Sequence, residues 1–180
     1  MSLSDRAWAA VEGNNLAELQ ELIDRGFRIE PEYSELDRYT IMHWAAQLGR
    51  ATMIAPLMKV SPPGILEYFD VAHSTPLAYA ATNNDLDTVA ELIRAGADVN
   101  ARDEEHIGET ALARAIEEDA SKEIVELLLR SGADPNIRGW MQRTPLERAE
   151  KRIERRKDQE SERILDLCQK YSVRNRTNDS

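Results

Sequence analysis

Cysteine is almost missing from this chain: Cys168 stands alone in 180 residues. No internal disulfide can form. Together with a charged start at Asp5 and Arg6 and no apolar leader, this points to a reducing, cytoplasmic setting. Aromatic residues make up only 6%, so any core has to be filled mainly by small and aliphatic side chains. No apolar run is long enough to cross a membrane. Histidine occurs three times, at His43, His73 and His106. A structural zinc site takes about four closely spaced ligands, usually including cysteine or a paired-histidine motif. None is legible here, so the expectation is no metal and no cofactor. Glycine-rich phosphate loops, a helical His-Glu-x-x-His and nucleophile–base signatures are also missing. Paired carboxylates such as Glu117-Glu118 do occur, but acid–base work needs them in a cleft with separated pKa values. No catalytic residue is assigned and no enzymatic activity is expected.

Charge is abundant and unevenly placed. The chain carries a net charge of -10 with 42% hydrophobic residues, ordinary for a folded domain. Residues 1–146 hold 25 acidic and 13 basic side chains, whereas residues 147–180 hold 8 and 10. An acidic body disfavours nucleic acid or anionic lipid and favours a basic partner.

A period runs through the chain. Thr40, Thr75, Thr110 and Thr144 are 35, 35 and 34 residues apart. Leu77, Leu112 and Leu146 follow two residues after their threonines, with Met42 in that place after Thr40. Ala45, Ala80, Ala115 and Ala149 follow at five. Gly96-Ala97-Asp98-Val99-Asn100 returns as Gly132-Ala133-Asp134-Pro135-Asn136. A fixed period of this length is the signature of stacked repeats. Within one unit, Thr75 can cap a helix and Pro76 suits its first position. Leu86, Val89, Leu92 and Ile93 recur at helical spacing, and Gly96 ends that second helix.

Thr75-Pro76-Leu77-Ala78-Tyr79-Ala80-Ala81, Thr40-Ile41-Met42-His43-Trp44-Ala45-Ala46 and Gly96-Ala97-Asp98-Val99-Asn100-Ala101 resemble the ankyrin repeat. The resemblance implies an all-α solenoid of about five stacked helix–turn–helix units joined by hairpin-like fingers. It also implies a non-catalytic surface that binds another protein. The units fall at roughly 4–38, 39–73, 74–108, 109–142 and 143–171. They form one domain over 1–171, followed by a disordered tail at 172–180. The module is expected to be a monomer on its own, with no nucleic acid or membrane partner. An immunity- or inhibitor-type protein that occludes the active site of a basic enzyme or toxin is the alternative.

The departures from the repeat carry further expectations. Pro56 interrupts the second helix of its unit. Ile65 to Phe69 is an inserted apolar segment, packed on the stack or else exposed as a docking patch. The resemblance places His43 in a structural position, while His73 and His106 read as solvated near finger tips. Trp44, Tyr79, Arg114 and Arg148 share one repeat position, which the resemblance places on the first helix near the concave side; Trp44 and Tyr79 either fill the core or begin an aromatic-to-basic row leading into the binding groove. Asp103, Glu104, Glu105, Glu117, Glu118 and Asp119 gather on an acidic face. Arg148, Lys151, Arg152, Arg155 and Arg156 form a basic strip read as solvated. The expected partner surface is centred on Trp140 and includes Met141, Tyr79, Glu104, Glu105, His106, Glu117 and Glu118.

Overall fold

Each Thr-x-Leu-x-x-Ala motif begins a short helix because the threonine hydroxyl meets an orphan amide of the first turn. Thr75, Thr110 and Thr144 accept the amide N–H groups of Ala78, Ala113 and Glu147 at 3.2, 3.2 and 3.1 Å. In this computed structural model the described residues are 2–30, 39–106 and 108–178, with backbone alone for the last three. Most of the first finger (31–38), Ile107 and residues 179–180 lie outside the described residues.

Among the described residues ten α-helices form five pairs, with no strand. They are α1 Leu3–Glu12 with α2 Leu16–Asp24, α3 Ile41–Gln47 with α4 Ala51–Met58, and α5 Pro76–Thr82 with α6 Leu86–Arg94. Then follow α7 Ala111–Glu117 with α8 Lys122–Arg130, and α9 Pro145–Arg156 with α10 Gln159–Asn178. The odd helices pack on one another in sequence, and so do the even ones, giving two parallel layers. Ala45, Ala80, Ala115 and Ala149 are wholly buried, so the first helices can approach closely. Leu22, Leu57, Leu92 and Leu128 fill the space between the layers.

Every pair turns through one left-handed residue: Asn14, Gly49, Asn84, Asp119 and Lys157. Asn84 also ties neighbouring units, its side-chain oxygen accepting the Ser121 amide at 2.8 Å. The fingers are joined by similar rungs. Asn100 donates to the Gly132 carbonyl at 3.0 Å and accepts from the Asp134 amide at 2.8 Å. One repeat later, Asn136 accepts from the Ser172 hydroxyl at 2.6 Å.

Three expectations change here. Pro56 lies inside α4, which continues to Met58. Only the last turn lacks its amide, and the helix end is held by Lys59 and Val60 donating to the Pro56 and Leu57 carbonyls. The chain from 172 to 178 is helix, not tail, because α10 runs on to Asn178 and Ser172 is buried against Asn136. The basic strip is only partly solvated: Arg148 and Arg152 are buried. Arg152 donates to the Ala120 carbonyl at 3.0 Å and to Ser161 Oγ at 3.2 Å. Ile65 and Leu66 sit in a 3-10 turn, Ile65–Glu67, and are buried in the stack, while Tyr68 and Phe69 are half-buried, which favours the packed reading of the insertion.

Candidate functional groove

The equivalent first-helix positions divide into two kinds of surface. At the N-terminal end, Trp44 approaches Trp8 with ring centroids 6.4 Å apart, and Tyr39 stands edge-on to Trp44 and Tyr79. His43 is buried and structural. Its Nδ1 accepts from the Thr40 amide at 3.1 Å, and its Nε2 meets the Tyr68 and Ser74 carbonyls at 3.1 Å each. Tyr79 donates its hydroxyl to Asp70.

At the C-terminal end a groove of about 350 Å3 opens between the fingers and α7. Its walls include His73, His106, Glu109, Arg114, Trp140 and Arg148. Glu109 is its hub: its Oε1 accepts from the Trp140 amide at 3.0 Å and from Arg148. Gly139 leaves room for it, since a side chain there would displace the Glu109 carboxylate. Arg148 also donates to Glu117 at 2.7 Å and to the Trp140 carbonyl at 3.2 Å. Burial raises the Glu109 carboxyl above its ordinary range, opposed by Arg148.

This cluster is not self-sufficient. Arg114 Nε, Arg148 Nε and Glu109 Oε2 are buried with no hydrogen-bond partner among the described residues. Such atoms carry a desolvation cost until something pairs with them. Beside them Trp140 is 61% and Met141 58% exposed, on the short 3-10 turn Trp140–Gln142.

Of the expected partner surface, the groove brings together Trp140, His106, Glu117 and Glu118. Met141, Glu104 and Glu105 stand exposed outside its lining, and Tyr79 sits among the aromatic groups one repeat away. The acidic face is also less uniform than expected. Asp103 is buried, and Asp119 pairs with Arg155 at 2.7 Å and Arg156 at 3.0 Å. His73 and His106 are not simply solvated. Their rings stack with centroids 4.4 Å apart, and both Nδ1 atoms meet Asp103 Oδ2, at 2.8 and 2.9 Å. Hydrogen bonds from the two imidazoles hold the Asp103 carboxyl below its ordinary range despite the larger opposing effect of burial. Glu109 carried no signal in the sequence, since it precedes its cap threonine where other units have Tyr39, Ser74 and Arg143.

The family described as ankyrin repeats (3 copies) matches residues 7–103 and 67–139. A stretch of 69 residues is 45% identical to part of the human (Homo sapiens) 2-5A-dependent ribonuclease. That stretch spans 38% of this chain and 9% of that protein.

Proposed function

The chain belongs to the ankyrin-repeat family, and we propose that it is a non-catalytic module whose C-terminal groove binds a protein segment with a basic surface. Ankyrin repeats are generally protein-interaction modules. The observation that carries the groove as the binding place is the pairing of exposed Trp140 with a buried Arg114 Nε that has no partner among the described residues. Trp140 offers a flat apolar anchor of the kind that dominates interface energetics. Arg114 offers donors to a carbonyl or carboxylate entering between the fingers. Glu104, Glu105 and Glu118 at the exposed margin would draw lysine or arginine towards it and set the rate of encounter. The human relative is named a ribonuclease, but the match reaches only a small part of it.

The test starts from the partner captured on the immobilised chain. Trp140→Ala is expected to weaken binding by about 2 kcal/mol or more, chiefly through faster dissociation. Glu104→Lys with Glu118→Lys should slow association and flatten its dependence on salt. Folded variants that bind as tightly as the parent chain, in low and high salt alike, would place the partner elsewhere.

A further inference from the structure

We propose that His73, Asp103 and His106 form a site for a zinc-type transition-metal dication that clamps two successive fingers at the mouth of the groove. The three residues arrive from two loops. His73 precedes α5, while Asp103 and His106 belong to the finger before α7. Among the described residues their Nδ1, Oδ2 and Nδ1 atoms all lie within 4.8 Å of one another. Both imidazoles already converge on the one carboxylate oxygen, at 2.8 and 2.9 Å. Ligands held about 2 Å from a tetrahedral ion stand about 3.3 Å apart, so side-chain adjustments suffice to admit one.

The donor set chooses the class of ion. Two imidazoles and one carboxylate suit zinc and its transition-metal neighbours, whereas calcium and magnesium want oxygen. Three protein ligands leave a coordination position open to water or to a partner's side chain.

The surroundings orient the ligands as a metal site requires. Asp103 Oδ1 is held by the Glu105 and His106 amides at 3.2 and 3.3 Å, which leaves Oδ2 facing the imidazoles. The loop is closed by the Gly108 amide donating to the Asp103 carbonyl, and a side chain at Gly108 would strike the Asp103 backbone. Asp103 is buried, while the two imidazoles are partly open to solvent, so an ion can enter. To ligate the metal each Nδ1 gives up the proton it donates to Asp103, by tautomerisation to Nε2 or by release to solvent, and offers its lone pair instead. Cys168 is buried in α10 and is not a member of this group. The spacing along the chain hides this group, because its members lie 30 and 3 residues apart.

Zinc chloride titrated calorimetrically into the untagged, chelator-stripped full chain is expected to bind at one ion per chain and to raise the thermal midpoint. His73→Asn and His106→Gln should each weaken binding about tenfold or more. Asparagine is chosen because residue 73 has a left-handed backbone that asparagine tolerates. Cys168→Ser should bind like the parent. A readout free of variants is the imidazole nitrogen spectrum: zinc should move the His73 and His106 signals and leave buried His43 in place. The proposal is overturned by no stoichiometric uptake at about 1 mM zinc. It is equally overturned by undiminished binding in the folded double variant, or by unmoved His73 and His106 signals. None of these results bears on protein binding in the groove, which is read separately through Trp140.

Discussion

The two ends of the row of first helices use the same backbone positions in opposite ways. Trp44 and Tyr79 at one end pack with Trp8 and Tyr39 into an aromatic cluster. Arg114 and Arg148, their equivalents at the other end, sit among Glu109 and Glu117 and leave buried polar atoms without partners among the described residues. Rings packed on rings lose little when nothing else arrives. Buried guanidinium and carboxylate groups are costly unless every donor and acceptor is met. The contrast separates a part of the surface that holds the stack together from a part whose bonding capacity is unspent.

The largest test of that contrast is Arg148→Ala. It leaves Glu109 half-buried without its cation, and denaturant unfolding should show a loss of about 3–5 kcal/mol. Adding Glu109→Gln should return part of the loss. A cost under about 1 kcal/mol, the range of exposed ion pairs, would show that the two ends do not differ in this way. Tyr79→Phe, at the aromatic end, removes one hydrogen bond to Asp70 and should cost about 1.5 kcal/mol in the same assay. Arg114→Met should leave stability unchanged or raise it by up to about 1 kcal/mol, because it removes a buried donor unpaired among the described residues. The same variant should weaken partner binding, so stability and binding would move in opposite directions at that residue.

The smallest expected effect is a pH dependence at the charged end. Arg156 and Ser161 hold the Asp158 carboxyl well below its ordinary range. Its stabilising contribution is therefore present above the ordinary aspartate value and is lost as pH falls through and below about 4. Asp158→Asn should be less stable than the parent at neutral pH, and the gap between them should close in acid. A gap that stays constant with pH would remove Asp158 from the account.

The fold was legible because its signals recur. A threonine cap, an alanine at five and a glycine stop reinforce one another when they return every 34 or 35 residues. Reading weakened where the period failed. Arg152 falls in a helix whose sequence is polar nearly all round, yet it is 2% exposed because α10 closes over it. No pattern within α9 shows what the following helix will cover. Pro56 read as a break because the usual rule counts a lost bond in mid-helix, whereas here the helix ends two residues later. In the groove, Trp140 stood out as an aromatic residue on a finger. The pairing of Glu109 with Arg148 joins residues 39 apart and depended on the stacking itself.

The asparagine rungs between fingers have a mechanical consequence. Asn100 and Asn136 each reach forward to the unit that follows, so a pull on the two ends loads the rungs one after another. None shares its burden with a distant neighbour, since repeat stacks are stabilised through adjacent interfaces. Such a chain yields in steps, peeling from whichever end holds least. The rung from Asn136 to Ser172 clasps α10 itself, and its strength decides whether the C-terminal unit leaves first.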